Sequence, residues 1–227
     1  MILTSTPKRI ELKEVFRPSD LTYLKTCLIN SSFCFQKPYP SRHINSLYFD
    51  NSDFNALEDS LEGSSIRKKT RLRWYGKENS ECNATLEIKN KKGHLSWKKL
   101  FHDHYKVIPS SPSWETFFFP QSVTDKVTSY YLKPLDPVSI VSYERNYYAS
   151  FDGRVRITFD HNLKTFDQKF LKGPCFRFER KHSRMLVVEI KVNQEDHHLL
   201  DDVFKTIPFS GKRFSKYCES LIPQEYC

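Results

Sequence analysis

Charged and apolar residues alternate along several short segments of this chain, and this alternation most constrains its fold. In the segment Thr70–Trp74, Arg71 and Arg73 alternate with one leucine and one tryptophan. Successive side chains of a β-strand point to opposite faces, so a strand with this pattern has one cationic face and one apolar face. The pattern therefore predicts a β-rich fold whose strands have two very different faces.

The same alternation recurs in at least six of the strands that the sequence predicts. The predicted strands are Arg9–Lys13, His43–Asp50, Ile66–Tyr75, Asn83–Lys91, His94–Phe101, Val138–Ser150, Arg154–Asp160 and Met185–Val192. Glycine-containing turns at Lys91–Gly93 and Asp152–Gly153 join two pairs of these strands as hairpins. Neighbouring strands are therefore expected to run antiparallel.

Helical periodicity appears between the strands, together with start and stop signals. The predicted helices are Leu21–Asn30, a short helix capped by Ser52 that ends before Gly63, Gln121–Leu132, Gln194–Lys205, and a last helix carrying Lys212, Arg213 and Lys216. No low-complexity tract or linker divides the chain. We therefore predict one domain over residues 1–227.

The fold class that unites these elements is α+β, with a closed antiparallel β-barrel of about eight strands. Apolar strand faces would pack against helices outside the barrel, and charged faces would point inward. For one strand alone, a charged face exposed to solvent is the simpler explanation, but the joint pattern favours the barrel. An eight-stranded barrel holds side chains or one slim ligand, and so many inward cations require a polyanion as that ligand.

Composition supports an anionic partner. The chain has 36 Lys and Arg residues against 27 Asp and Glu, a formal charge of +9. Nucleic acid, phospholipid or polyphosphate would each suit this charge. The six cysteines have no paired CxxC or zinc-like spacing, which predicts reduced thiols in a cytoplasmic protein. No apolar run is long enough to predict a membrane span.

Three inward-facing glutamates each precede a lysine by two residues, in Glu11–Lys13, Glu87–Lys89 and Glu189–Lys191. Carboxylates hold the divalent cations that accompany triphosphates, and arginine binds phosphate through two parallel hydrogen bonds. Phosphoryl transfer depends mainly on positioning and charge neutralisation, which such a tunnel supplies without a nucleophilic side chain. The sequence therefore predicts triphosphate chemistry.

Eight short motifs occur in an order that resembles a known family. They are Arg9–Lys13, Ser46–Asp50, Arg71–Tyr75, Leu86–Lys89, Tyr143–Arg145, Arg156–Asp160, Val188–Lys191 and Phe214–Tyr217. Between about residues 8 and 221 the chain resembles the VTC domain. This is the polyphosphate polymerase domain of the vacuolar transporter chaperone complex and its prokaryotic relatives, a branch of the triphosphate tunnel metalloenzymes.

The resemblance implies a polymerase that adds the γ-phosphate of ATP to polyphosphate with Mn²⁺ or Mg²⁺. It implies catalytic roles for Lys13, Arg71, Arg73, Lys89, Arg145, Arg156, Lys191 and Lys216. Glu189 would be the main metal ligand, helped by Glu11 and Glu87. Further substrate contacts would come from Arg9, Lys212, Arg213 and Lys99, with Lys98 as the alternative to Lys99.

The chain departs from the broader superfamily in one motif. Arg9 replaces the first glutamate of the Glu-Xaa-Glu-Xaa-Lys signature, which fits the VTC branch and weakens a hydrolase interpretation. A triphosphatase or nucleoside triphosphate hydrolase on the same fold, and a non-catalytic polyphosphate-binding module, remain alternatives.

The sequence bears on two kinds of macromolecular partner, a membrane protein and a nucleic acid. The chain carries no transmembrane part of the kind that accompanies the eukaryotic domain, so export of the product or membrane association would require a separate membrane protein. A nucleic-acid partner is disfavoured. The best support for one is an external basic patch that Lys91–Lys92 and Lys98–Lys99 could form.

Overall fold

The computed structural model describes residues 3–77, 81–120 and 130–222. Its eleven strands are β1 (Leu3–Ser5), β2 (Arg9–Phe16), β3 (Arg42–Asp50), β4 (Ile66–Tyr75), β5 (Cys82–Lys92), β6 (Leu95–Val107), β7 (Phe118–Pro120), β8 (Asp136–Ala149), β9 (Val155–Asp167), β10 (Glu179–Lys181) and β11 (Leu186–Asn193). These strands form one sheet.

The helices are α1 (Leu21–Ile29), α2 (Asn55–Glu62), α3 (Trp114–Phe117), α4 (Leu200–Thr206) and α5 (Lys216–Leu221), with 3₁₀ helices at Pro18–Asp20 and Gln194–Leu199. All of these helices are short, with nine residues in the longest. Within the described ranges, no helix is long and apolar enough to cross a membrane.

Eight of the strands close into an antiparallel barrel. Hydrogen-bonded neighbours follow the order β6, β2, β11, β9, β8, β3, β4 and β5, and β5 pairs with β6 to complete the ring. The β2–β6 contact is short, with Arg9 opposite Ser96 and Ile10 opposite Leu95. The predicted closed barrel of about eight strands is confirmed, and closure leaves no unpaired edge around the ring.

Most apolar core side chains lie on the outer face of the barrel, with helices packed against them. A further cluster includes Tyr48 and Tyr143, on the inward side of β3 and β8, together with Tyr217 of α5. Leu72 and Trp74 are fully buried, and the Trp74 ring packs edge-on against Phe117 of α3 at 6.0 Å. On the other side, β11 packs against Leu24 of α1 and Val203 of α4. Burial of the apolar face against the helices is favourable, and it determines which face of each strand points outward and which points into the barrel.

Several predicted helices differ in detail. The predicted helix Gln121–Leu132 falls mostly on residues 121–129, outside the described residues. Ser52 does not cap α2, because Phe54 takes a left-handed conformation and Asp50 accepts hydrogen bonds from the first turn instead. Gly63 ends α2 as predicted, with φ +81°.

Two C-terminal helices also need correction. The predicted helix Gln194–Lys205 divides into a 3₁₀ helix and α4. The last helix begins only at Lys216, where Ser215 accepts a hydrogen bond from the Cys218 amide. Lys212 and Arg213 therefore lie in the segment before the helix, although the sequence placed them on it.

Candidate active site

The inside of the barrel is lined with charged side chains because the strand register places them opposite one another. Lys13 lies opposite Glu189, and Glu11 lies opposite Lys191. Opposed residues of antiparallel strands point to the same face of the sheet. The inward cations are Arg9, Lys13, Lys69, Arg71, Arg73, Lys89, Lys98, Arg145, Arg156, Lys191 and Lys216, and the inward carboxylates are Glu11, Glu87, Asp160 and Glu189. Cations outnumber carboxylates on this surface.

Glu87 joins three of these cations into one cluster. Its Oε2 accepts hydrogen bonds from Arg71 Nε at 2.9 Å and Nη2 at 2.6 Å, and from Lys98 Nζ at 2.9 Å. Its Oε1 lies 3.2 Å from Arg73 Nη1. Burial raises the pKa of Glu87, but the three cations outweigh burial and hold that pKa well below its usual range. Because both oxygens are occupied by cations, we do not propose Glu87 as a metal ligand.

Glu189 is the second carboxylate of the barrel interior. Its Oε2 lies 2.8 Å from Lys191 Nζ and 3.5 Å from Arg145 Nη2. Its Oε1 lies 3.7 Å from Lys13 Nζ, beyond hydrogen-bond distance. Burial raises the pKa of Glu189, but the positive charges of Lys191, Lys13 and Arg145 hold it well below the usual range. Glu189 is therefore ionised and has one oxygen that is only loosely engaged.

Glu11 is the third carboxylate, on the strand beside Glu189. It accepts a hydrogen bond from Arg9 Nε at 2.7 Å and another from Lys89 Nζ. Burial raises the pKa of Glu11, but the positive charges of Lys89, Lys191 and Arg9 together outweigh burial and hold the pKa below its usual range. Glu11 lies opposite Lys191, whose ammonium contacts Glu189, and the nearby negative charge of Glu189 raises the pKa of Glu11.

The carboxylates fit a divalent cation only if substrate completes its coordination. The described part of the chain contains no group of three His, Cys, Asp or Glu side chains that could hold a metal by itself. Mg²⁺, however, is commonly bound through one or two carboxylates together with substrate phosphates and water. Glu189, with its loosely engaged oxygen, meets this requirement with one carboxylate, whereas both oxygens of Glu11, like those of Glu87, are occupied by cations.

Asp160 connects two further cations and was not assigned a role by the sequence, although it ends one of the motifs. It accepts two hydrogen bonds from Arg145, at 2.6 and 2.7 Å, and one from Lys216 at the start of α5. The Lys216 ammonium also lies 4.7 Å from the centre of the Tyr143 ring. Asp160 is completely buried, so it fixes the positions of an arginine and a lysine that come from different elements.

Some polar atoms of the barrel interior have no partner within the described residues. They are Arg73 Nε, Arg156 Nε and Thr158 Oγ1, all of which are buried. Buried polar atoms almost always have a hydrogen-bond partner. Each of these atoms can donate a hydrogen bond, and phosphate oxygens are acceptors that suit such donors.

The lysine pair on β6 corrects one predicted site residue. Lys98 lies opposite Lys89 and contacts Glu87, so its side chain is inside the barrel. Lys99 lies opposite Ile88, which belongs to the outer hydrophobic core. The inward cation is therefore Lys98 and not Lys99. The external basic patch that included Lys98–Lys99 does not form as predicted, because Lys98 points the other way.

Of the three cations predicted near the C-terminal helix, only Lys216 reaches the interior cluster. Lys212 and Arg213 are exposed. The Arg213 guanidinium lies over Gly63, where a Cβ atom would be 2.2 Å from Nη1. Their proposed role at one end of the tunnel stays a prediction.

Lys69 is an inward cation that the sequence analysis missed. It lies on β4 opposite Lys89, two residues before Arg71. Its Nζ donates a hydrogen bond to Ser215 Oγ at 2.8 Å. The same alternation that identified Arg71 and Arg73 would have found it, because Lys69 continues their series at the preceding alternate position.

Solved structures with similar architecture cover almost the whole chain. A putative adenylyl cyclase from Hippeastrum, described as having a dominant triphosphatase activity, is 14% identical with a TM-score of 0.56, covering 97% of this chain and 98% of that chain. A putative adenylate cyclase from Vibrio parahaemolyticus is 12% identical with a TM-score of 0.52, covering 95% and 98%. The PH1012 protein from Pyrococcus horikoshii is 12% identical with a TM-score of 0.51, covering 93% and 98%. At these identities the likeness establishes the fold alone.

Comparison with protein families gives a more specific result. A search of curated proteins found no significant match. The sequence profile of the VTC domain matches residues 8–222, a span that includes every strand of the barrel and all of the inward charged residues described above. The chain therefore belongs to the VTC domain family and has the triphosphate tunnel fold.

Proposed function

We propose that the protein is a polyphosphate polymerase that transfers the γ-phosphate of ATP to the end of a polyphosphate chain inside the barrel. The observation that carries this proposal is the excess of inward cations over inward carboxylates, all of them at least partly buried. Arg73 and Arg156 also have hydrogen-bond donors without a partner among the described residues. A tunnel of this charge requires a polyanion, and membership in the VTC domain family makes polyphosphate the most suitable one.

The cations are proposed to bind the phosphates in two groups. Glu87 orients the Arg71 and Arg73 guanidiniums and the Lys98 ammonium, so these groups are in place before a triphosphate enters. Preorganised charges of this kind stabilise a transition state without further rearrangement. The second group consists of Lys13, Lys89, Arg145, Arg156, Lys191 and Lys216, together with Arg9, the first residue of β2.

The transfer itself needs no nucleophilic side chain. A terminal oxygen of the polyphosphate chain attacks the γ-phosphorus of ATP, the bond from that phosphorus to the β–γ bridging oxygen breaks, and ADP leaves with the electron pair. Charge on the transferred phosphoryl group is shared by the surrounding Arg and Lys side chains. A Mn²⁺ or Mg²⁺ ion held by Glu189 together with substrate phosphates would supply further charge neutralisation.

Incubation of the purified protein with ATP and Mn²⁺ tests this proposal. The expected products are ADP and an acid-labile polymer that grows with time. Arg73→Ala should abolish polymer formation, whereas Lys99→Ala should not, because Lys99 lies on the outer face. Repeated absence of polymer under conditions where ATP binds would contradict the proposal.

A triphosphatase is the second candidate, since one protein of similar fold is described as having a dominant triphosphatase activity. Water would replace the polyphosphate end as the acceptor in that reaction. Release of orthophosphate without polymer growth would favour it. A non-catalytic polyphosphate-binding module would bind the polymer but produce neither orthophosphate nor ADP.

A further inference from the structure

Lys69 differs from the other inward lysines in having only uncharged partners. Its Nζ donates to Ser215 Oγ at 2.8 Å and lies 3.9 Å from Cys218 Sγ. The centre of the Tyr217 ring is 5.3 Å away. Lys98 and Lys216, by comparison, each contact a carboxylate. Among the described residues, no carboxylate lies within ion-pair distance of the Lys69 ammonium.

The charged groups that face Lys69 are themselves cations. They are Arg67 on the same strand, Lys13 on β2 and Lys89 on β5, while Cys218 faces it from α5. Burial lowers the pKa of Lys69 to about 7, with the three cations acting in the same direction and Cys218 opposing them. The side chain is only partly buried by accessible area, so it is open to the barrel interior.

The Ser215 hydroxyl lies beside Lys69 and has a proton of its own to donate. Its oxygen accepts hydrogen bonds from Lys69 Nζ and from the Cys218 amide at 3.4 Å. A hydroxyl group has one proton to donate and two acceptor positions. Within the described residues, the acceptor beside that proton is the lone pair of a neutral Lys69 amine. Once Lys69 is protonated, that lone pair is lost, and Lys69 and Ser215 both present donors to the interior.

We propose that Lys69 and Ser215 form an additional phosphate-binding position in the tunnel, and that Lys69 takes up a proton from solvent when a polyphosphate anion binds there. The proposal rests on the proposed function insofar as the ligand is a polyphosphate. No bond to phosphorus forms in this step: the neutral amine gains one proton, and the resulting ammonium donates hydrogen bonds to a phosphate oxygen.

The physical reason is the reversal of local charge on binding. In the empty barrel the nearby cations oppose a further positive charge at Lys69. A bound polyanion favours the charged form, and the ammonium then donates a charge-assisted hydrogen bond to a phosphate oxygen. Binding should therefore be tighter at lower pH and should consume protons near pH 8.

Calorimetric titration of the full chain with tripolyphosphate tests the proposal. Measurements near pH 8 in Tris and in HEPES, which differ in ionisation enthalpy, give the number of protons taken up. Lys69→Met should take up fewer protons than the unmodified protein, by up to one, and should bind about tenfold or more weakly at pH 7. Lys68→Met is the matched control, because Lys68 is exposed on the outer face of the same strand.

Lys69→Arg separates protonation from loss of contact, since a guanidinium is permanently charged. This variant should retain affinity but lose the same fraction of proton uptake. Equal proton uptake by the unmodified protein and both Lys69 variants would overturn the inference, as would failure of the unmodified protein to bind tripolyphosphate. Binding with the expected proton uptake but without polymer formation from ATP would contradict the proposed polymerase alone.

Discussion

Arg145 of β8 and Asp160 of β9 face each other across two neighbouring strands and share two hydrogen bonds, at 2.6 and 2.7 Å. This bidentate geometry fixes the plane of the guanidinium as well as its position. Lys216 contacts the same carboxylate from α5. A single buried carboxylate thus aligns two cations that the motifs assign to substrate.

Asp160→Ala should destabilise the folded protein by about 3–5 kcal/mol, because removing one member of a buried ion pair leaves the remaining charges uncompensated. Urea denaturation of the purified variant measures this loss. Asp152→Ala is the control, since Asp152 pairs with Arg154 on an exposed hairpin. If the two variants lost the same small amount of stability, Asp160 would not have the structural role described here.

The strand pattern could be predicted from the sequence because alternation follows directly from backbone geometry. Leu72 and Trp74 are buried outside the barrel, and Arg71 and Arg73 point inside, as the alternation required. The closed barrel followed from combining several such strands. Alternation does not show which of two adjacent identical residues points inward. For Lys98 and Lys99, the inward residue could be identified only from the β5–β6 register.

Ion pairs within one strand, such as Glu189 with Lys191, follow from the alternation, but ion pairs between strands could not be predicted because they depend on which strands become neighbours. The alternation places Lys13 beside Glu11 on one strand face, but the lysine that contacts Glu11 is Lys89 of β5. Lys13 lies opposite Glu189, 176 positions further along the chain. Short motifs contain no information about which distant residues become partners. For the same reason, the sequence did not predict that Asp160 binds Arg145 and Lys216.

Acidification should destabilise the protein through Glu87. Its pKa lies well below the unfolded value of about 4.3, so between these two values the unfolded chain binds a proton that the folded protein does not. The stabilisation is complete above the unfolded pKa and is lost as the pH falls toward the folded pKa.

Urea denaturation at a series of pH values between about 6 and 3 checks this dependence. Glu87→Gln should weaken it, because the variant lacks the titrating group, whereas Glu58→Gln should not, since Glu58 is exposed on α2. An unchanged pH dependence in Glu87→Gln would show that Glu87 does not contribute to acid sensitivity.

Arg73→Ala should weaken tripolyphosphate binding roughly ten- to a hundredfold, the range expected for loss of a hydrogen bond to a charged group. Its effect on stability should be modest, because Glu87 keeps Arg71 and Lys98 as partners. Calorimetry and thermal unfolding measure the two effects, with the exposed Arg154→Ala as control. A large fall in melting temperature with unchanged affinity would identify Arg73 as a structural residue.

Glu189→Gln should lower Mn²⁺ affinity in the presence of a nonhydrolysable ATP analogue by roughly tenfold or more. Substitution of residues that only contact metal ligands already lowers metal affinity by that factor, and loss of a direct ligand should cost at least as much. Without metal, the variant should bind tripolyphosphate at least as tightly as the unmodified protein, because Lys13 and Lys191 lose a competing carboxylate. Glu87→Gln is the comparison, since both Glu87 oxygens are occupied by cations. Electron paramagnetic resonance of free Mn²⁺ should therefore show a much smaller loss of Mn²⁺ affinity for Glu87→Gln than for Glu189→Gln. Equal losses of affinity would place both carboxylates at the metal and contradict the exclusion of Glu87 as a ligand.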